Sequence, residues 1–436
     1  MSPSAPPLLR TGAAPTTGRP AAFFDHPGRT AAQGETHARP IEPVEVPASV
    51  HRVAFMLGQD PSSGSQAVER FAQWCREAGI SPPRDTERRS AFERDGLRVI
   101  WELHTEIVTF TWISSRSDPQ PWPAGIGLAA FADLPIIVSV RVDLEDRAVL
   151  SDQDLASFDP VRLCYAKIER TTAEIATDLI VDPDGYTRYE FAAGALRPVR
   201  CGLLVRRLLE IETYRVLTLL GLPLARTLSP AIGELEVRLA DLMAKVGAAK
   251  TTLDNQNALD ELHALSVRVA QLGEQTRFRF AATKAYGDVL AQRLGRLGET
   301  PISDHSTMKR YLAHRIDPAL ATCLAVEKRQ TALADTLAQT TELLNTRIGV
   351  DLERQNQVLL NAISDTAQSQ YRLQTTVEGL SAIAISYYTL GILGYVLHGV
   401  EDYFHFDKPI VVAALAPVVL VAVWLGVRRI RRHHVD

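Results

Sequence analysis

The chain lacks a cysteine framework, a secretory leader and the loops that cradle phosphates. Its four cysteines, Cys75, Cys164, Cys201 and Cys323, stand far apart and form no CxxC pair. That argues against a disulfide scaffold or a zinc site and fits a reducing compartment. Residues 1–22, rich in proline, alanine and threonine, contain no apolar core of signal-peptide length and read as a disordered arm. Positive charge is not in excess: the formal net charge is -4 over 436 residues, and no interleaved basic and aromatic surface suggests nucleic acid. There is no G-x-S-x-G, no GxxxxGK[ST] and no glycine-rich strand-to-helix turn; "RLGRLGET" sits in helical context as a helix end. The expectation is a protein that is not an enzyme and takes no cofactor.

The most informative absence is charge near the C-terminus. Between Gly379 and Val400 the only titratable side chain other than tyrosine is His398, and Ile410 to Val427 has none. A membrane-spanning helix needs roughly 20 mostly apolar residues, with a lower limit of about 17. Both runs qualify, and the loop "EDYFHFDKP" between them makes a tight hairpin with aromatic residues suited to the membrane interface. Arg428, Arg429, Arg431 and Arg432 follow the second run, whereas the loop sets only Lys408 against Glu401, Asp402 and Asp407. Positive charge stays on the cytoplasmic side, so both termini are expected in the cytoplasm. The four arginines are then placed to touch anionic lipid headgroups.

Upstream lies a helical stretch beginning at Pro198 and interrupted near Gly221 and Pro223. Ile232, Leu235, Leu239, Leu242, Val246, Ala249 and Leu253 alternate steps of three and four, the heptad signature. A second register runs Leu262, Leu265, Val269, Leu272, with a turn or stutter expected near Asp254 to Asn257. Asp317 and Pro318 then mark a helix start. From Pro318 to Val400 no further proline occurs, and one helix is expected to enter the membrane unbroken, on the order of 100 Å long or more. Such a helix needs neighbours, either the preceding helices or other copies of itself.

Residues 23–197 read as an α+β domain. "SVHRVAFML", "EIVTFTWIS", "PIIVSVRVDL" and "RLCYAKI" are strand candidates, and "SQAVERFAQWCREAG" is an amphipathic helix. Hairpin turns are expected at 94–96 and at Asp182 to Gly185. Frequent hairpins imply a largely antiparallel sheet with helices to one side. The fold class is thus an α+β cytosolic domain (23–197), a helical, coiled-coil stalk (198–378), a two-helix transmembrane hairpin (379–427) and a basic cytoplasmic tail (428–436).

"DHPGRTAAQGETHARP" (residues 25–40), "YRVLTLLGLPLARTLSP", "RFAATKAYGDVLAQRL", "HRIDPALATC" and "YRLQTTVEGLSAIAISYYTLGILGYV" carry a resemblance. From Phe24 onward the chain resembles a family of bacterial membrane-anchored proteins known only as a domain of unknown function. Its motif falls here on His26, Pro27, Arg29, Glu35, His37, Ala38, Arg39 and Pro40, and asparagine is usual in the family where Gly34 stands. The resemblance implies an inner-membrane protein with a cytosolic body and no established activity. The architecture is also similar to that of the CorA-type magnesium transporters, whose Gly-Met-Asn signature is replaced here by "HGVEDYF", so magnesium transport does not carry over.

Two sets of candidate residues follow. Ser381, Tyr388 and Tyr395 are seven apart on the first apolar run, with Gly391, Gly394 and His398 near the same side. Small and polar residues there serve either helix packing or the lining of a pore, and Glu401 and Asp402 would stand with Asp407 as an acidic ring or as a solvated turn. In the motif segment Asp25 is placed to cap a helix starting at Pro27, with Arg29, Gln33 and His37 on one face. His26, Glu35 and His37 could make a metal or acid–base site, but their spacing matches no metal motif, and salt bridges from Arg29, Glu35 and Arg39 to the domain are the simpler reading. The expected function is a membrane-anchored, homo-oligomeric sensor or scaffold. The alternatives are a channel or transporter for an unidentified ion and a hydrolase using the His26–His37 segment.

Overall fold

The computed structural model describes residues 26, 28–29, 32–33, 40–58, 60–84, 87–168, 173–249, 251–404 and 408–433. They fall into two compact units, one combining Met1–Leu239 with Leu265–Thr336, the other Ala240–Ala264 with Leu337–Asp436.

The first unit is built on a mixed sheet. Strand β1 (Ala48–Met56) leads to helix α1 (Ser63–Glu77), which stops at Gly79 with φ 72°. Strands β2 (Arg89–Arg94), β3 (Leu97–Leu103) and β4 (Ile107–Ser115) form a meander. Its first turn is Asp95–Gly96, both with positive φ (51° and 76°), the backbone that suits a two-residue hairpin. Strand β5 (Ile136–Glu145), the short helix α2 (Asp152–Leu155), β6 (Cys164–Lys167), β7 (Glu174–Thr177) and β8 (Thr187–Ala192) follow. Strand β9 (Thr300–Pro301) comes from the helical region and adds to the edge at β6. The strand order is β2-β3-β4-β1-β5-β8-β7-β6-β9, antiparallel throughout except between β5 and β8.

Helices cover both faces of this sheet, which corrects the expectation of helices to one side. On one face Val53 and Phe55 pack with Phe71 and Cys75 of α1, and Phe71 stacks on Trp101 at 4.5 Å. On the other, Val50 and Ala54 join Val140, Val142, Tyr189 and Phe191 beneath helix α3 (Pro198–Leu219). A strand buried on both faces loses the alternation that would reveal its two-sided burial. Pro198 occupies the first turn of α3, as expected. At Gly202 a Cβ would lie 1.8 Å from the carbonyl oxygen of Glu42, so only glycine lets the strap at 40–46 cross the helix.

After a break at Leu220 come α4 (Gly221–Ala248), α5 (Thr252–Leu297), α6 (Met308–Phe404) and α7 (Lys408–His433). Helix α6 starts ten residues before the expected Pro318, which lies inside it. The reason is upstream: the Glu299 carboxylate accepts from the backbone N–H groups of Met308 and Lys309, 2.9 Å each, and Thr307 Oγ1 accepts from Arg310 N. These contacts satisfy the first turn, with Thr307 as its N-cap. In this unit Ile232, Phe280, Cys323 and Val326 form the core between α4, α5 and α6, and Thr276 Oγ1 donates to Gln330 Oε1 at 3.0 Å.

In the second unit α4 ends at Ala248 and α5 begins at Thr252, ahead of the turn expected at Asp254 to Asn257. Thr251 and Asp254 form a reciprocal cap, each side chain accepting from the other's backbone N–H at 3.1 Å. Arg347 closes the end of α4 by donating to the carbonyl oxygens of Val246 and Ala249. Along α6 buried positions recur at 316, 319, 323, 326, 330, 333, 337, 340 and 344. From Leu352 to Val377 every α6 residue is exposed.

Candidate functional site: an arginine-lined cavity

Arg52 interrupts the apolar row Val50, Arg52, Ala54 on the α3-facing side of the central strand. It is 6% exposed, directly across from Thr111, whose Oγ1 accepts from Arg52 Nε at 2.8 Å. Its Nη2 lies 3.5 Å from Glu102 of β3. Glu102 is in register with Arg89 of β2, 3.8 Å away, and Arg89 pairs in turn with Glu42 of the strap. Arg98 reaches the same Glu42 at 3.2 Å. From the helix side, Arg206 of α3 lies 3.0 Å from Glu210 one turn on, and Arg293 of α5 lies 2.6 Å from that glutamate.

Of these groups Arg52, Glu102, Arg206 and Glu210 line a cavity of about 180 Å³ between the β1–β4 sheet, α3 and α5, with Arg88, His104, Tyr214 and Tyr286 also in its wall. Tyr214 and Tyr286 stack at 5.7 Å and close one side. Glu106, at the hairpin between β3 and β4, is held by both Nη atoms of Arg279 at 3.1 and 2.7 Å. Burial, then Glu106, pushes the Tyr286 phenol up. Burial pulls Arg52 below the usual guanidinium range; Glu102 and Glu210 oppose that, and Arg206 adds to it. A smaller cavity of about 50 Å³ shares Arg52, Glu102 and Arg206 and is lined by Pro40 and Glu42 of the strap. Sequence reasoning missed this site because its residues are scattered from 40 to 293. The one available signal was an arginine among the apolar residues of "SVHRVAFML".

On the opposite sheet face lies a second buried polar group. His51 is fully buried, stacked on Trp112 at 5.3 Å and edge-on to Tyr186, and neither ring nitrogen has a hydrogen-bond partner among the described residues. Burial, then Arg141, lowers its pKa to about 3. Beside it Asp143 accepts from Ser49 and lies 2.9 Å from Arg116 and 3.0 Å from Arg141. Arg116 also reaches Glu145 at 3.0 Å and Glu190 at 3.3 Å. Burial, then Asp143, raises Glu190 to about 7 against the pull of Arg116 and Arg188.

Among the described residues, the candidates named from sequence other than Pro40 lie outside these two cavities. In the motif segment His26 Nδ1 accepts from Gly28 N at 3.1 Å, and Arg29 stands in a helical turn. Asp25, Pro27, Gly34, Glu35, His37, Ala38 and Arg39 are outside the described residues, and Pro40 lines the smaller cavity. On α6, Ser381, Tyr388, Gly391, Tyr395 and His398 are exposed and Gly394 is half-buried. The shielded stripe of this segment is Ala382, Ser386, Thr389, Leu393 and Leu397, on another side of the helix from Ser381, Tyr388 and Tyr395. Glu401 and Asp402 belong to α6, which runs to Phe404, so the expected loop is shortened from its first side; Asp407 is outside the described residues. Arg428, Arg429, Arg431 and Arg432 continue α7. The four cysteines are unpaired and buried.

By length and composition, three helical stretches among the described residues could cross a membrane: Pro198–Ala248, Met308–Gly399 and Pro409–Val427. The first packs Leu204, Leu208 and Ile211 of α3 into the sheet core. The last has no buried residue in its apolar window. A family model described as "Protein of unknown function (DUF3422)" matches residues 24–434. No curated protein matches the chain.

Proposed function

Starting from a chain that belongs to the DUF3422 family, we propose a non-enzymatic, homo-oligomeric protein anchored in the bacterial inner membrane that presents its α+β unit to the cytosol as a sensor or scaffold. The observation that carries this reading is the Pro409–Val427 stretch, wholly apolar in its window and without a buried residue. Fully burying a large aliphatic side chain is worth about 1.5–3 kcal/mol; Ile410, Val418, Leu420, Val421 and Leu425 are half or more exposed, and lipid removes the cost of that exposure. The uncharged part of α6 from Gly379 supplies the partner span, and the stripes at Ala382–Leu397 and at Val412, Leu415, Val419 and Val423 are the shielded sides of the pair. The arginines at 428–432 then hold the C-terminus in the cytoplasm.

The expressed protein should sediment with membranes, resist alkaline wash and enter solution only with detergent. A C-terminal reporter should work in the cytoplasm. Protein soluble without detergent, or a reporter active only in the periplasm, overturns the reading.

A second reading, ion conduction, is favoured by the position of Ser381, Tyr388 and Tyr395 outside the shielded stripe of α6. Polar side chains within a bilayer face protein or water rather than lipid, so this side is available to another copy or to a pore axis. Ion flux in proteoliposomes that Tyr388→Ala alters would carry this reading; flux absent from sealed, correctly oriented vesicles would leave the anchor.

A further inference from the structure

We propose that helix α6 forms, with a second copy of this chain, a parallel two-stranded coiled coil that runs from Leu352 into the membrane span, and that Asn356 and Gln370 fix its register and its copy number. The inference deepens the anchored, homo-oligomeric reading given above and rests on it.

The order of residue types leads to it. From Leu352 to Val377, about 39 Å of helix at roughly 1.5 Å per residue, every residue is exposed. A lone helix in water is poorly supported, and no other described part of the chain shields this one. One row steps by four and three without a slip: Leu352, Asn356, Leu359, Ile363, Thr366 and Gln370, then Leu373, Val377, Leu380 and Ala384. Its large apolar members are each more than half exposed. The charged residues of the same stretch, Glu353, Arg354, Asp365, Arg372 and Glu378, all miss the row. An identical copy must match itself, and a row without charge meets its own image with no like charges opposed. Ten positions per copy, at roughly 60 Å² each, bury on the order of 1,200 Å², above the roughly 1,000 Å² that a specific interface clears.

The first span continues the same row. Tyr387, Gly391 and Gly394 follow Ala384 at steps of three, four and three. A Cβ at Gly391 or Gly394 would meet nothing within 4 Å, so both glycines open onto unfilled space. The shielded stripe Ala382, Ser386, Thr389 and Leu393 lies on the far side of the helix from them. Glycines on an unfilled side let another helix approach closely. Branching sets the copy number. Leucine holds 352, 359, 373 and 380, while Ile363 and Val377 hold the alternate positions, the arrangement that favours two strands in a parallel coil. Asn356 and Gln370 share the class of position held by Ile363 and Val377. Each amide carries a donor and an acceptor, so it pairs with its own counterpart when two parallel copies are in register. Both copies enter the bilayer from one side, which makes them parallel.

The test places single cysteines in the full-length protein and oxidises cell fractions mildly; the four native cysteines are buried, and the parent sets the background. Seam positions of helices packed about 8–10 Å apart bring their Cα atoms within the roughly 4.4–6.8 Å that a disulfide spans, and outward positions do not. Thr366→Cys and Leu373→Cys should run as covalent dimers, while Asp365→Cys and Arg372→Cys, each one residue away, stay at the parent's level. Light scattering in detergent should give twice the 48.0 kDa chain. Asn356→Val with Gln370→Val should raise the dissociation temperature and broaden the mass to a mixture, because buried amides give up stability to specify two copies. Equal cross-linking of neighbouring positions, no cross-link at 366 and 373, a mass other than two copies, or an unchanged valine variant overturns the proposal. Its failure is separable from that of the anchor. Protein that sediments with membranes without cross-linking keeps the anchor and loses the coil; soluble protein cross-linked at 366 and 373 does the reverse.

Discussion

His51 and Glu190 titrate in opposite senses on the same sheet face. His51 is held neutral, with its folded pKa at about 3 against 6.5 when unfolded. Below pH 6.5 the unfolded chain binds a proton the native state refuses, so stability falls as pH drops towards 3, by about 1.4 kcal/mol per pH unit at most. Glu190, raised to about 7 from 4.5, does the reverse: its native form takes the proton first, and stability rises as pH falls from 7 to 4.5. In the parent the two offset each other between 6.5 and 4.5. Denaturant unfolding at pH 7 and pH 5 should therefore show His51→Phe gaining stability at the lower pH relative to the parent, and Glu190→Gln losing it. Equal shifts in both variants would contradict the assignment. None of this was legible beforehand: a histidine in a strand-like string does not disclose that its neighbours are Trp112, Tyr186 and Arg141, which come from three other segments.

At the scale of elements, two ion pairs join helices to their surroundings within the first unit and differ in depth. Arg279 of α5 holds Glu106 with side chains 13% and 6% exposed, whereas Arg329 of α6 and Glu236 of α4 are 38% and 39% exposed. Removing one partner of a buried pair costs about 3–5 kcal/mol; an exposed pair is worth about 0–1 kcal/mol. Arg279→Ala should lower unfolding stability by several kcal/mol and Arg329→Ala by less than about 1 kcal/mol, as measured by urea titration. Comparable losses would mean that burial does not set the difference. The elements themselves were partly readable. Local signals placed the Asp95–Gly96 hairpin, the start of α3 at Pro198 and the end of α1 at Gly79. Signals that act at a distance did not: the parallel pairing of β5 with β8, the helices on both faces, the start of α6 at Met308 set by Glu299, and the cavity itself all depend on residues far apart in sequence.

For the whole molecule, the stripe on α6 shifts phase. Buried positions step three and four up to Leu344, and the same phase would continue at Arg347, Asp351 and Arg354. The apolar residues instead move over by one, to Ile348, Leu352, Leu359, Leu373 and Leu380, and from Leu352 onward those named are more than half exposed. Leu352, Leu359, Leu373 and Leu380 keep multiples of seven, with Thr366 at the remaining position. A seven-residue repeat matches itself in parallel, in-register copies, and the homo-oligomer proposed above uses this seam. Light scattering of the detergent-extracted protein should give a multiple of the 48.0 kDa chain, and Leu359→Glu with Leu373→Glu should reduce it. A monomeric parent would remove the seam from the proposal.

The seam and the first uncharged run share one helix, with no proline between Leu352 and Phe404. Rotation is therefore locked along that shaft: each added residue turns everything after it by about 100°. Seven extra residues after Leu360 would return Tyr388 to nearly its original azimuth, while two would swing it to the far side. A spacer series of this kind makes the helix a protractor, reporting which bearing of the span its partners require.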